Sequence, residues 1–226
     1  MKGRIASWIS KQRRMIQSPE EVKQALSKCF ELGKSECRLI LASELHYQAM
    51  LYHHLRQTGG IPFNQLGMNV KTTIPCVQNS FLHQRSLTRH ANYQNADIEI
   101  IPDITVFTQE INYDWRRRNF TNTLKETLYS LEVKASERHR GRLQQKEIET
   151  DIQKLVAQRE ETERIHNRRI GVGMFIIDVA PDTRERMKVV TLNYLSELAR
   201  QQDVDLWYLN QETQVEAVVK AAKITG

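Results

Sequence analysis

Two short stretches that combine apolar and charged residues, IPDITV at 101–106 and LEVK at 131–134, decide which fold and which chemistry this sequence predicts. Runs of this length and composition are typical of buried β-strands. Pro102 has no N–H to donate to a β-ladder, so it marks a strand start or a bend, and Asp103 opens the strand that follows. We therefore expect two adjacent strands of one sheet.

The charged residues of these strands are of the types that bind a divalent cation. Because side chains alternate along a strand, Glu132 and Lys134 share one face, and Leu131 and Val133 share the other. The carboxylates of Asp103 and Glu132 supply oxygen ligands suited to Mg²⁺, which also keeps waters and accepts phosphate oxygens. A bound cation polarises a phosphodiester and activates a water, while a nearby lysine stabilises developing negative charge. This combination predicts hydrolysis of phosphodiester bonds.

Pro102-Asp103 and Glu132-Val133-Lys134 resemble the two halves of the motif of the PD-(D/E)xK nuclease superfamily. This superfamily includes restriction enzymes, junction resolvases and repair nucleases. The resemblance implies a restriction endonuclease-like αβββαβ core, in which a mixed central sheet is flanked by helices. It also implies that the two acids bind Mg²⁺, with Mn²⁺ as a substitute, that the carbonyl of Val133 is a further ligand, and that Lys134 assists the nucleophilic water.

One earlier acid extends the resemblance, and one spacing departs from it. Glu44, on a predicted helix, resembles the acid that many members bring to the site from their first core helix, which implies a catalytic and metal-binding role for it. The 29-residue step from Asp103 to Glu132 (132 − 103) is long for this family and requires an excursion between adjacent strands. The alternative to a nuclease is an exposed Pro-Asp turn followed by an unrelated charged strand face.

The rest of the chain reads as helices alternating with strands, as expected for a sheet covered by helices. The predicted helices are residues 1–34 (with Ser18 as a cap and Gly33 at the end), 43–56, 142–165, from Asp182 or Thr183 to 201, and 212–223. The predicted strands are residues 70–77, one or two strands between 98 and 107, then 127–135, 171–179 and 204–209. In the helix at 43–56, the predicted apolar stripe is Leu45, Ala49, Tyr52 and Leu55, with Glu44 beside it.

We expect one α/β domain over residues 1–226, because this length fits one sizeable core better than two. Residues 1–35 are the predicted N-terminal helical extension, residues 40–180 the catalytic core, and residues 181–226 a C-terminal helix-strand-helix elaboration. The composition, 40% apolar and 27% charged, is that of a globular protein and unlike that of a disordered chain.

The cysteine pattern and the hydropathy predict where the protein resides. Cys29, Cys37 and Cys76 are widely spaced and form no CxxC pair, which is typical of a reducing cytosol. No stretch approaches the roughly 20 apolar residues that cross a bilayer, and the first ten residues lack the apolar core of a secretory signal. We therefore expect a cytoplasmic protein with no membrane partner.

The charge of the chain favours a polyanionic partner, because the net charge is +6 and the pI is about 9.3. The candidate nucleic-acid-binding residues are Arg13 and Arg14, in an N-terminal stretch without acidic residues, and the consecutive Arg116, Arg117 and Arg118. Trp115 is expected either to stack on nucleic acid or to anchor its loop on the core. The alternative for both basic runs is a solvated surface.

Three functions are consistent with these features. The leading hypothesis is a Mg²⁺-dependent endonuclease acting on DNA, as a homodimer or larger assembly where both strands are cut. The alternatives are a non-catalytic nucleic-acid-binding or assembly subunit of the same fold, and a protein-interaction scaffold using the long helix from Arg142. On that helix Asp151, Lys154, and Gln144 or Gln145 are weaker candidates, because a charged amphipathic helix explains them equally well.

Overall fold

The structure, a computed structural model, describes residues 15–89, 97–137 and 141–211. Arg13, Arg14 and the predicted closing helix at 212–223 lie outside the described residues. The helices are α1 (Pro19–Leu39), α2 (Glu44–Gln57), α3 (Ser80–Arg89), α4 (Phe120–Lys125), α5 (Gln145–His166) and α6 (Val189–Gln201). The strands are β1 (Leu66–Met68), β2 (Thr72–Ile74), β3 (Ile98–Ile100), β4 (Ile104–Phe107), β5 (Thr127–Ala135), β6 (Gly171–Asp178) and β7 (Asp205–Asn210).

A mixed five-stranded sheet, flanked by helices, forms the centre of the molecule. Its strand order is β1-β4-β5-β6-β7, and β2 pairs with β3 in a separate two-stranded sheet. Strands β1, β4 and β5 pair antiparallel, whereas β5, β6 and β7 run parallel to one another. Parallel neighbours require crossover connections, which α5 and α6 supply. The fold is therefore mixed α/β, as predicted.

Strand β5 lies at the centre of this sheet and spans the residues that the sequence predicts. Eight of its nine residues are buried, and only Lys134 is intermediate in exposure. Such complete burial is typical of a strand that has helices on both faces. On one face Leu131 and Val133 pack with α1 and α2, so the face that carries Glu132 is directed to the other side of the sheet.

Two apolar clusters, one on each face, hold the helices to the sheet. Helices α1 and α2 pack on β5, β6 and β7 through Val22, Leu26, Phe30, Leu51, Leu55, Val133, Phe175 and Trp207. Helices α5 and α6 pack on the opposite face through Ile148, Ile152, Leu155, Met174, Ile176 and Leu195. Burying one such aliphatic side chain stabilises the fold by about 1.5–3 kcal/mol. The packing of α5 therefore holds its first turns against the end of β5.

Helix α1 begins as predicted and ends later than predicted. The Ser18 hydroxyl accepts a hydrogen bond from the Glu21 N–H at 3.2 Å, which confirms the predicted cap. The prediction that Gly33 ends the helix is wrong, because α1 continues to Leu39. A Cβ at position 33 would lie 3.3 Å from the His54 ring, so this glycine permits the close approach of α1 and α2.

The predicted apolar stripe of α2 is correct at Leu55, which is buried, and at Tyr52, which is partly buried on the core, but wrong at its first two residues. Leu45 and Ala49 are exposed, and the buried residues of the helix are Tyr47, Gln48, Leu51 and Leu55. Polar and apolar residues are interspersed along α2, so its sequence is compatible with more than one buried face. Packing against the sheet decides which face is buried. Glu44 precedes Gln48, Leu51 and Leu55 at helical spacing, so it begins the buried stripe and does not lie beside it.

Several further boundaries differ from the predictions. Only Thr72–Ile74 of the predicted strand at 70–77 is a strand, and β1 and α3 were not predicted. The long helix begins at Gln145, and Asp182 caps a short 3-10 turn (Thr183–Glu185) before α6 begins at Val189. Of the helices in the described ranges, none has both the length and the apolar character that crossing a membrane requires.

Candidate functional site

Asp103 and Glu132 face each other across the antiparallel pair of β4 and β5. Ile104 pairs with Leu131, and the same register continued by one residue places Asp103 opposite Glu132. Opposed residues of an antiparallel pair point to the same face of the sheet. Each of the two residues is 8% exposed, and their carboxyl groups are close enough to influence each other's ionisation. The sequence-predicted acids therefore form one buried pair.

Backbone hydrogen bonds hold Asp103 in place at the start of its strand. The Asn69 N–H donates to the Asp103 carbonyl oxygen at 2.9 Å. The Asp103 Oδ2 accepts a hydrogen bond from the Val133 N–H at 2.6 Å. The Val133 side chain is buried in the cluster of α1 and α2, so only its backbone can contribute to the acid pair.

The surroundings of the two acids oppose their simultaneous ionisation. Burial raises the pKa of Asp103, and the hydrogen bond from Val133 and the charge of Lys134 only partly offset this effect. Burial and the charge of Asp103 raise the pKa of Glu132 well above its ordinary value, and the strongest opposing influence is the charge of Lys154. A cation beside the pair favours ionisation of both carboxyl groups, because it attracts both negative charges.

Lys134 lies between two further acids that come from two helices. Its Nζ is 3.3 Å from both carboxylate oxygens of Glu44 in α2 and 3.2 Å from the Asp151 Oδ2 in α5. Burial lowers the pKa of Lys134, but Asp151, Glu44 and Glu132 together raise it above its ordinary value. The lysine is therefore a fixed positive charge beside the acid pair.

Glu44 reaches this group of residues, as the resemblance implies. Burial raises the pKa of its carboxyl group, Lys134 lowers it, and the negative charge of Asp103 raises it. The structure thus brings Glu44, Asp103, Glu132 and Lys134 together from one helix and two strands. Their catalytic and metal-binding roles stay predictions.

An open cleft of about 760 Å³ begins at Lys134. Its described lining includes Glu44, Lys134, Asp151 and Lys154, together with residues 135–137 and 141–144. Asp103 and Glu132 are not among the lining residues that the structure describes. A molecule in this cleft therefore meets the lysines first, and the acid pair lies next to them.

The donor set fits a hard divalent cation that keeps part of its water shell. Within the described ranges, no three His, Cys, Asp or Glu side chains are grouped as a ready metal site. Mg²⁺ commonly uses only one or two protein carboxylates, with waters and substrate phosphates as its other ligands. Two adjacent carboxyl groups match this requirement, and a cation beside them would offset the unfavourable ionisation of both.

The predicted arginine cluster is separate from this acid–lysine group and is largely paired within the chain. Arg116 donates two hydrogen bonds of 2.7 Å to the Asp114 carboxylate, and Arg117 donates to Glu99 at 2.8 and 3.1 Å. Hydrogen bonding to Arg116 lowers the pKa of Asp114 to about 2. For Arg118 the described residues include no hydrogen-bonded acid. All three arginines are exposed.

Trp115 anchors its loop on the core. Its ring stacks on buried Phe107, with 5.9 Å between the centroids and 7° between the planes. It also packs against a small cluster formed by Val70 and Ile111. Of the two predictions for Trp115, the structure supports the anchoring role.

Asp151 and Lys154 are the site residues that sequence reasoning undervalued. Asp151 is buried, contacts Lys134 and forms an ion pair with Lys154 one helical turn away. The sequence did contain one indication that both residues face the sheet, because they lie next to Ile148, Ile152 and Leu155, the apolar residues through which α5 packs on it. An acid and a lysine at i,i+3 on such a helix are usually an exposed ion pair, so this signal was weak.

Comparison of the chain with protein-family models, curated proteins and solved structures gives no match in any of the three. The resemblance to PD-(D/E)xK nucleases therefore stays a prediction from the motif residues.

Proposed function

We propose that this chain is a divalent-metal-dependent endonuclease that hydrolyses phosphodiester bonds in DNA. The observation that carries the proposal is the buried Asp103–Glu132 pair on adjacent strands, with Lys134 two residues further along β5. Paired carboxylates next to a lysine form a site suited to a phosphodiester and a hard cation.

The order of the elements supports a restriction endonuclease-like core. Helix α2, strands β1, β4 and β5, helix α5 and strand β6 follow one another as αβββαβ, with β2, α3, β3 and α4 as additions. The first three strands of this series pair antiparallel, and β6 returns parallel to β5 after α5. The 29-residue step between Asp103 and Glu132 (132 − 103) includes an excursion from β4 to β5 at residues 108–126, which consists mainly of two 3-10 turns and α4.

Asp103 and Glu132 would hold Mg²⁺ or Mn²⁺, with the Val133 carbonyl as a further ligand. Glu44, which forms an ion pair with Lys134 in this structure, would join them by exchanging that pair for the cation. When bound, the cation polarises the phosphodiester and lowers the pKa of a coordinated water. The Val133 N–H orients the Asp103 carboxylate through its hydrogen bond to Oδ2. Such preorganisation removes the cost of arranging the ligands during the reaction.

Lys134 supplies positive charge where the pentavalent phosphorus centre gains negative charge. Glu44 and Asp151 keep its ammonium group charged and limit its movement. A fixed cation in a partly buried site stabilises a transition state more than a mobile surface cation does, because water screens it less.

A direct test incubates the full chain with supercoiled plasmid, linear duplex, branched DNA and RNA, each with Mg²⁺, Mn²⁺ or EDTA. We expect metal-dependent cleavage of DNA that is lost in Asp103→Asn and Glu132→Gln. Glu161→Gln is the matched control, because Glu161 is also buried but bonds to the Gln78 and Asn79 N–H groups and to Arg164.

Two results would count against the proposal. Equal loss of activity in Glu161→Gln would indicate a general effect on folding. A folded wild-type chain that cuts no substrate and gains no thermal stability from Mn²⁺ would favour the non-catalytic alternatives.

A further inference from the structure

Asp151 joins two lysines at the edge of the cleft. Its Oδ2 is 3.2 Å from the Nζ of Lys134 in β5, and its Oδ1 forms an ion pair with the Nζ of Lys154 in α5. One carboxylate thus holds together two cations that come from different elements of the fold.

This arrangement differs from an ordinary ion pair on a helix surface. The Asp151 side chain is 8% exposed, while those of Lys134 and Lys154 are 19% and 30% exposed. A desolvated carboxylate requires strong partners, and here each of its oxygens has one. Exposed i,i+3 pairs, by contrast, are mobile and contribute little to stability.

Lys154 is also close to the acid pair and open to the cleft. Its charge is the strongest influence that favours the ionised form of Glu132. Its side chain lines the cleft together with Lys134. A lysine ammonium has three donors, so bonding to Asp151 leaves others available to a ligand.

We propose that Lys154 binds a phosphate oxygen of the nucleic-acid strand in the cleft and that Asp151 positions Lys154 and Lys134 together for this purpose. The inference rests on the proposed function. The ammonium group of a lysine is a common ligand for phosphate. Lys134 and Lys154 lie between the cleft and the acid pair, so they are placed to bind the phosphate of a strand that approaches the proposed metal site.

The test compares Lys154→Gln, Lys154→Arg and Asp151→Asn with the wild type, using the full chain and a fluorescent DNA oligonucleotide. Binding is measured in EDTA over a series of salt concentrations, and cleavage kinetics are measured in Mg²⁺. Lys34→Gln is the matched control, because Lys34 forms an exposed i,i+3 pair with Glu31 on α1.

For Lys154→Gln we expect about tenfold weaker binding and a similar rise in KM, because one charge-assisted contact is lost. The slope of log affinity against log salt should become shallower by about one, as expected for the loss of one phosphate contact. Lys154→Arg should recover most of the affinity, a rescue that a purely structural role does not require. Lys34→Gln should match the wild type.

Asp151→Asn distinguishes positioning from binding. Because the change removes the ion-pair partner of Lys154 and one of the two carboxylates beside Lys134, which keeps Glu44, we expect KM to rise through Lys154 and kcat to fall moderately through Lys134. The melting temperature is measured beside the kinetics, because a buried acid loses two ion pairs. A fall in stability without a change in KM or in the salt dependence would overturn the positioning role.

The outcomes separate this inference from the proposed function. If the wild type cleaves DNA and Lys154→Gln keeps its KM and salt dependence, the lysine assignment is wrong and the endonuclease proposal stands. If the wild type binds DNA through Lys154 but cleaves nothing with any metal, the endonuclease proposal fails instead. A wild type that neither binds nor cleaves contradicts both.

Discussion

The lysines at the cleft and the arginines at 116–118 are two groups of cations in the described chain whose surroundings differ. Lys134 is 19% exposed and shares an acid that is 8% exposed, whereas Arg117 is 70% exposed and its acid Glu99 is 37% exposed. Both groups form ion pairs within the chain. Only the lysines are held by a buried acid next to a carboxyl pair.

This difference shows why charge counted along a sequence is a poor guide to a site. Exposed ion pairs are screened by salt and exchange readily with water, so the arginines can attract a polyanion without a fixed geometry. A buried acid holds its cations at defined positions, which is what stabilisation of a transition state requires. The consecutive arginines are the more conspicuous feature of the sequence, yet the separated lysines are better suited to chemistry.

The largest expected effect comes from Lys134→Ala. We expect it to lower kcat for DNA cleavage by about 100- to 1000-fold, because a preorganised charge is lost from the transition state. Arg117→Ala should leave kcat close to that of the wild type, since the arginine is exposed and already paired with Glu99. Single-turnover cleavage of a labelled duplex measures both.

The Lys134 variant leaves Glu44 and Asp151 without their shared cation, so its melting temperature must be measured beside its activity. Lys134→Arg retains the charge and tests position alone, because a guanidinium differs from an ammonium in shape. Cleavage at the wild-type rate by Lys134→Ala would rule out the proposed mechanism.

A smaller effect, on stability, is expected from Glu132→Gln in the metal-free protein. The raised pKa of Glu132 means that its stabilising contribution is complete below its unfolded pKa of about 4.3 and is lost as the pH rises through its folded pKa. Glutamine mimics the protonated form. We therefore expect a melting temperature a few degrees above that of the wild type at pH 8, and little difference at pH 4.

Mn²⁺ should reverse this order, because it stabilises the wild type more than Glu132→Gln when it binds the native acid pair. Thermal unfolding with EDTA or Mn²⁺ at several pH values measures both effects. A stability difference that stays constant with pH would mean that Glu132 does not titrate in this range.

The smallest effect is expected from neutralising Arg116, Arg117 and Arg118 together. If all three contacted phosphates, the slope of log affinity against log salt would flatten by about three. Because two of them are paired with Asp114 and Glu99, we expect a smaller change, with the preference between DNA sequences unaltered. Asp114→Asn, which frees Arg116, should strengthen binding slightly and leave the melting temperature unchanged.

Binding isotherms at several salt concentrations test this expectation. The slope of log affinity against log salt could flatten by about three in the arginine variant and stay unchanged in Lys154→Gln. That result would place the main DNA-binding surface on the arginines and not on the lysines at the cleft.

The sequence by itself determined the central strand and the acid pair. Thr127 to Ala135 is an apolar run with two charges at alternate positions, and the strand period alone places Glu132 and Lys134 on one face. The cap at Ser18 was equally predictable, since capping depends on a few neighbouring residues. Such features follow from local geometry, which a single sequence contains.

Only the tertiary structure decided which face of α2 is buried, why a glycine lies inside α1, and that Asp151 joins Lys134 to Lys154. Each of these depends on residues far apart in the chain that meet when the helices pack on the sheet. Helical periodicity offers α2 more than one half-apolar face, and the free energy of burying one against β5 selects among them. The same packing brings α5 over the acid pair and turns an ordinary i,i+3 spacing into a buried contact.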